Sequence, residues 1–317
     1  MKPGRDMAAN AALKANPRTG AAAKQFAATW RLHLMLLPAV LVALVFKYAP
    51  MPGIVIAFQD FKPWQGISGS SWVGWSNFEL IFSMHDSRQV ILNTLIISCL
   101  KIAFGLVVPV IFALLLNEIR QMGLKRSIQT LVYLPHFMSW VILGGILLDL
   151  LSLEGIVNQM LSFFHIQPVM FLSEGNWFRF TVILSDLWKE FGFSAIVFLA
   201  SLSGINPALY EAAEIDGAGR MKQTFYITLP SMLPIIVVVF TLSLGNMLNA
   251  NFDQIYNLIN SLVLDKGDII DTFVYRSFQE GQYSLSTAVG LFKSVIGFIM
   301  IGGGYYSAYK WANYRIF

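Results

Sequence analysis

The chain has 317 residues, 22 Lys and Arg against 18 Asp and Glu, and a formal net charge of +4. It is 56% hydrophobic and only 13% charged, with a mean hydropathy of +0.61. Soluble domains carry about 25% charged residues, and a water-soluble globule cannot hide this much apolar side chain, so disorder, a fibrous repeat and most soluble enzymes are excluded.

The single cysteine, Cys99, excludes an internal disulfide and a cysteine-based metal cluster. The histidines at 33, 85, 136 and 165 are too scattered for a ligand set, so no metal site is expected. No basic block interleaves with aromatics, and nucleic acid is not an expected partner.

Residues 1–25 are basic and Ala-rich and read as a disordered cytoplasmic tail. The apolar run after them is too long for a signal-peptide core, and no A-x-A-like site closes it. A membrane helix needs about 20 mostly apolar residues. Six stretches qualify: 32–49, 90–116, 127–148, 180–205, 229–252 and 285–309. Strand alternation is absent, so the expected class is an all-α membrane protein with six transmembrane helices. The expected organisation is the tail 1–25, a first helix and external loop over 26–89, and a five-helix core over 90–317.

The positive-inside rule sets the orientation. With the amino end in the cytoplasm, Lys2, Arg5, Lys14, Arg18, Lys24 and Arg31 lie inside. So do Arg120, Lys125, Arg126, Arg220, Lys222, Lys310 and Arg315. Only Lys62, Arg88, Arg179, Lys266 and Arg276 fall outside. Both termini are therefore expected in the cytoplasm. Trp64, Trp72 and Trp75 suit the interface belt, and the acidic loop 251–284 belongs on the outer side.

Ionisable groups at bilayer depth are costly and face protein or water. Lys101 lies in the second span, His136 in the third, Asp186, Lys189 and Glu190 in the fourth, and Lys293 in the sixth. Lys47 sits near a span end and can snorkel. Asp186, Glu190 and Phe193 share one helical face, with Lys189 beside them. They read either as internal ion pairs, Asp186 with Lys189 or either carboxylate with Lys101 or Lys293, or as the lining of a water-filled cavity. The Asn246, Asn249 and Asn251 run reads as helix capping or as cavity lining. Gly302, Gly303 and Gly304 suit close helix packing, and Cys99 a small apolar filler.

The connection between the fourth and fifth spans carries the most information. Asn206 before Pro207 is an N-cap with proline at the first helical position. Helix formers follow to Ile215, and Gly217 supplies a left-handed stop. A second short helix over 219–227 is expected to run to Pro230. Small residues alternate with Glu211, Glu214 and Asp216, as on an amphipathic connector or a docking surface.

Glu211-Ala212-Ala213, then Gly217, then Leu229-Pro230 resembles the EAA loop of ABC-importer permeases. With Leu209, Tyr210, Asp216, Ala218, Phe225 and Ile227 it resembles the carbohydrate branch, which includes the maltose-type and LplB-type oligosaccharide permeases. Trp72-Val73-Gly74, Asn77-Phe78 and Leu134-Pro135 extend the resemblance more loosely. It implies a type I ABC importer (MetI-like) permease fold and a binding-protein-dependent component of the bacterial inner membrane.

The resemblance also implies that Tyr210, Glu211, Ala212, Ala213, Asp216, Gly217 and Ala218 couple to an ATPase. Carried over position by position, it places the sugar pathway on His136, Trp140, Asp186, Glu190, Phe193, Asn246 and Asn249. Asp186 and Glu190 depart from less charged counterparts, which leaves the cargo's charge open. The implied partners are a second, non-identical permease subunit, two cytoplasmic ABC ATPase subunits, an extracytoplasmic sugar-binding protein and the oligosaccharide. No G-x-x-x-x-G-K-[ST] loop is present, so ATP and Mg belong to the partner ATPase and no cofactor is expected on this chain. No catalytic residues are expected either: G-x-S-x-G and H-E-x-x-H are absent, which disfavours an intramembrane enzyme. Inverted repeats, which a secondary transporter would show, are not evident.

Overall fold

Long runs of Leu, Ile, Val and Phe leave the backbone one economical way to satisfy its polar groups in lipid, which is the helix. The computed structural model describes residues 17–312, and most of them are helical. Residues 1–16, most of the expected disordered tail, lie outside the described residues. Two units divide between Val55 and Ile56.

The first unit holds α1 (Pro17–Ala43), then a π turn at Leu44–Tyr48. The part of the expected tail from Pro17 to Gln25 is therefore helical, as Ala21, Ala22 and Ala23 favour.

The second unit opens with a two-residue antiparallel ladder, β1 (Gln59–Asp60) against β2 (Ser71–Trp72), pairing Gln59 with Trp72. Its helices are α2 (Ser76–Ser83), α3 (His85–Glu118), α4 (Met122–Tyr133), α5 (Trp140–Leu150) and α6 (Ile156–Phe163). Then come α7 (Gly175–Ser203), α8 (Pro207–Ile215), α9 (Leu229–Gly245), α10 (Phe252–Leu258), α11 (Ile270–Gln279) and α12 (Tyr283–Ala312). Four described helices are long and apolar enough to cross a membrane, or six if each of two bent pairs counts as one.

Two of the expected spans differ in shape. The third, 127–148, is broken: α4 ends at Tyr133, one 3-10 turn covers Leu134–Phe137, and α5 leaves at 101°. Pro135 lacks the amide needed to continue the ladder and its ring crowds the preceding turn. Ser139 then caps α5, accepting from the Ile142 amide at 3.4 Å. The fifth span begins earlier and ends sooner than expected. A helical run from Arg220 passes through a π turn at Thr224–Thr228 into α9, which stops at Gly245. Pro230 directly follows the π turn, at the place in this continuous run where the regular ladder is already interrupted. Beyond Gly245 the chain unwinds, and Asn251 adopts φ 70°.

Packing is organised along α3 and α7. Near one end, Ile97 of α3 and Phe178 and Val182 of α7 join Ile255, Leu258 and Ile269 in one buried cluster. Beside it, Val90, Ile270, Phe273, Leu285 and Val289 form a second. At the other end Val110 and Ala113 meet Ala195, Phe198, Leu202 and Met232. Between these apolar layers the same two helices carry Lys101, Asp186, Lys189 and Glu190.

Three small residues behave differently from expectation. Cys99 is exposed rather than a core filler. A side chain on Gly302 or Gly303 would meet nothing within 4 Å, and only Gly304 approaches a neighbour, Leu244 at 3.6 Å. The close crossing is instead at Gly192 of α7, where an added Cβ would lie 2.5 Å from the Val132 carbonyl oxygen. Backbone-to-backbone approach of this kind needs glycine. Gly192→Ala is expected to destabilise the protein by about 2 kcal/mol through overpacking, read as a lower melting temperature of the purified protein in detergent.

Candidate functional site

Three of the charged residues between the apolar layers, Lys101, Asp186 and Glu190, line a cavity of about 720 Å³. Lys101, Asp186, Glu190, Asn246, Asn249, Asn251, Phe252 and Asp271 all contribute to its wall. Four of the residues expected in the pathway, Asp186, Glu190, Asn246 and Asn249, are thus brought together. They come from α7 and from the unwound chain after α9.

The pairing inside the cavity follows from what each helix can reach. Lys101 lies 3.2 Å from Asp186. It also donates to the Ala250 carbonyl at 2.9 Å and to Gln254 Oε1. Asp186 accepts from Asn251 Nδ2 at 3.1 Å. Gln254, fully buried, donates to the Val182 carbonyl at 2.7 Å and to Ser185 Oγ at 2.9 Å. A lysine and a carboxylate held away from water need partners of this kind, because an unpaired buried charge costs several kcal/mol.

Glu190 joins a second cluster. One carboxylate oxygen lies 2.7 Å from His136 Nδ1 and the other accepts from Lys189 at 2.9 Å. Lys189 Nζ also donates to the His136 carbonyl at 2.8 Å, one of the acceptors freed by the broken third span. His136 stacks face to face on Phe193, ring centroids 3.9 Å apart. Trp140, largely buried, lies under Lys189 with its ring centroid 5.6 Å from Nζ, a cation–π contact. His136, Phe193 and Trp140 therefore connect to the cavity through Glu190 and Lys189 and do not themselves form its wall.

The alternatives left open by the sequence resolve as follows. Lys189 pairs with Glu190 and not with Asp186. Lys293 pairs with neither of those carboxylates: it reaches Asp271 at 2.6 Å and Asn249 Oδ1 at 2.6 Å. The reason is register, since Lys189 sits next to Glu190 while Lys101 on α3 faces Asp186 across the helix pair.

Sequence reasoning missed Gln254, Asp271 and Phe252. Gln254 and Asp271 lie in a stretch that reads as an acidic outer loop, Phe252 where the expected fifth span meets it, and the lysines that engage the first two, Lys101 and Lys293, are remote in sequence. Asn251 does cap α10, its side chain accepting from the Gln254 amide at 3.4 Å. Asn246 and Asn249 line the cavity instead, so both readings of the asparagine run hold in part.

The connection after α7 is built as its residues dictate. Asn206 Oδ1 accepts from the Ala208 amide at 3.1 Å, and Pro207 opens α8. Gly217 adopts φ 75°, and the Ala218 amide donates to the Ala213 carbonyl at 2.8 Å, closing the helix with a left-handed turn. The bend between α7 and α8 is 68°. Glu211, Ala212, Asp216 and Gly217 are exposed, and Ile215 is 86% exposed. Tyr210 points the other way: its hydroxyl lies 2.9 Å from Thr228 Oγ1, tying α8 to the start of α9. Arg220 reaches Glu118 at the end of α3 at 3.1 Å.

Comparison with known proteins matches this architecture. The family of binding-protein-dependent transport system inner membrane components matches residues 105–308. The polygalacturonan/rhamnogalacturonan transport system permease protein YteP of Bacillus subtilis (strain 168) is 44% identical over 85% of this chain and 85% of its own. Protein LplB of the same organism is 42% identical over 90% of this chain and 91% of its own. Among solved structures, a chain of a bacterial ABC transporter involved in the import of the acidic polysaccharide alginate superposes with a TM-score of 0.84 and 37% identity. That match covers 91% of this chain and 98% of the other. A second structure, of a bacterial alginate ABC transporter in complex with alginate pentasaccharide-bound periplasmic protein, gives a TM-score of 0.83 at 37% identity, over 90% of this chain and 96% of the other. With a family match over more than half its length and relatives above 40% identity, the chain belongs to the binding-protein-dependent transport system inner membrane components, as a multi-pass permease subunit of the all-helical MetI-like fold and not an enzyme.

Proposed function

We propose that this permease passes acidic oligosaccharides inward across the bacterial membrane, and that a separate ATPase drives it through the 204–230 loop. The observation that carries the reading is the polar cavity set between apolar layers, whose wall holds the Lys101–Asp186 pair and also Asp271 and Asn249, the two residues that Lys293 engages. A sugar carboxylate offers each lysine an equivalent partner, so a uronate chain exchanges ion pairs as it moves without stranding a charge. Neutral hydroxyls find Asn246, Asn249 and Asn251 in the same wall. The alginate importers among the similar structures support a cargo of this charge.

The topology that goes with this has six crossings and both termini in the cytoplasm, supported by the distribution of Lys and Arg. The chain would pair with a second, non-identical permease subunit, and two ATPase subunits holding ATP and Mg would seat the α8 elbows. An external binding protein delivers the sugar, a role supported by the periplasmic protein in the alginate pentasaccharide complex. The elbow is suited to such a load. Glu211 is presented outward while Tyr210 fastens α8 to Thr228, so force on α8 reaches both α7 and the run into α9. The first carries Asp186 and Glu190, and the second ends at Asn246. Both helices that leave the elbow thus reach the cavity wall.

Two measurements test this. Glu211→Lys, which reverses the exposed charge, is expected to abolish uptake of radiolabelled oligosaccharide and recovery of the ATPase with the permease. The external protein should bind sugar as before. Unimpaired uptake would remove the coupling role from this loop. Lys293→Gln is expected to slow uptake of a uronate pentasaccharide about tenfold, the loss of one charge-assisted hydrogen bond. Its carboxyl-reduced counterpart should be imported at the unaltered rate, and equal slowing of both would show that the lysine does not read charge.

A further inference from the structure

Beside the charged cavity lies a group of aromatic rings that the ion-pair chemistry does not use. Phe252 and Tyr256, one turn apart on α10, stack with centroids 5.2 Å apart and planes 19° apart. Tyr275 of α11 stands edge-on to both, at 5.6 and 5.1 Å. Phe252 is part of the cavity wall, as is Asp271, one turn before Tyr275 on α11. Phe252 thus joins the trio to the wall, near the Asp271 that holds Lys293.

Packing does not account for these rings. α10 is fastened by Gln254, Ile255 and Leu258, all buried, and α11 by Ile270, Thr272, Phe273 and Ser277. Tyr256 stays 46% exposed and Tyr275 37% exposed. Three large rings held together on the open side of two well-anchored helices, against the rim of a polar cavity, form a surface with both π faces and hydrogen-bonding hydroxyls. The wall they adjoin also contains Ser98, whose hydroxyl is buried without a protein partner. Pyranose rings match this combination: their axial C–H faces lie on aromatic rings, and their hydroxyls and carboxylates take directional polar partners.

We propose that Phe252, Tyr256 and Tyr275 form a pyranose-stacking subsite at the rim of the cavity, where a sugar ring lodges before its carboxylate engages Lys293 and then Lys101. This rests on the import of acidic oligosaccharides argued above and assigns the first stop on that route. Stacking holds a ring whatever its charge, so the subsite grips the chain while the lysines beyond it select the carboxylate.

The test uses the intact importer, purified with its ATPase and without the external binding protein. The probes are alginate pentasaccharide, a galacturonate pentamer and the carboxyl-reduced form of each. Tyr256→Leu and Tyr275→Leu together keep apolar bulk and remove the aromatic faces. The double variant is expected to raise the dissociation constant about tenfold for charged and reduced probes alike. Sugar-free ATP hydrolysis and subunit recovery should not change. The corresponding Phe pair, which keeps the rings, should bind within about twofold of the parent. An unchanged constant in the Leu pair overturns the subsite, and so does a Leu pair that lowers subunit recovery while the assembled fraction binds normally. If the parent importer binds none of the four probes, the acidic-oligosaccharide reading itself falls and takes the subsite with it. Failure of that kind is told from failure of the subsite by the parent alone.

Discussion

A charge in a low-dielectric layer must be answered by another charge or by several dipoles, and the centre of this protein is arranged around that requirement. Lys101 and Asp186 lie on facing helices between apolar clusters, with Gln254, Asn251 and the Ala250 carbonyl completing their coordination. Those last three groups exist at that depth only because α9 stops at Gly245 and the chain unwinds. The unwound segment is tolerated in turn because it lines protein and cavity instead of lipid. The break in the third span obeys the same logic, since the His136 carbonyl freed there is taken up by Lys189.

This arrangement separates two tasks along the helices. The apolar clusters at either end hold α3 against α7 and supply the cohesion. The polar layer contributes less to cohesion than hydrophobic packing of the same volume would, and its persistence in an otherwise apolar bundle points to transport. Ion pairs whose members can be exchanged for a ligand's groups suit a path better than a store of affinity, because cargo must leave as readily as it arrives.

Much of this was legible before any coordinates. Composition gave the membrane class, and the Asn206 cap, Pro207 and Gly217 specified the elbow's helix and its stop, because these are local backbone preferences. The spacing of Glu211, Gly217 and Pro230 pointed to the correct family. The ionisable residues at depth were identifiable as costly and therefore meaningful, yet their partners were not, since Lys101 meets Asp186 and Gln254 from helices far along the chain. Hydropathy averages over a window, so it showed the third span as continuous although Pro135 was in plain view. It likewise hid Phe252 and Asp271 within an outer loop, where tertiary contact alone turns them toward the cavity.

The close crossing at Gly192 has a mechanical meaning. α7 runs unbroken from the cavity carboxylates to the elbow, and Gly192 lies against the backbone of Val132 between the two. From that fulcrum Asp186 is about 9 Å away and Ser203 about 17 Å in the opposite direction. A rigid rod tilting on such a point reverses displacement and halves it. A swing of the elbow arm in one direction would thus carry Asp186 about half as far in the other, so a load on α8 would reach the cavity wall with its sense inverted.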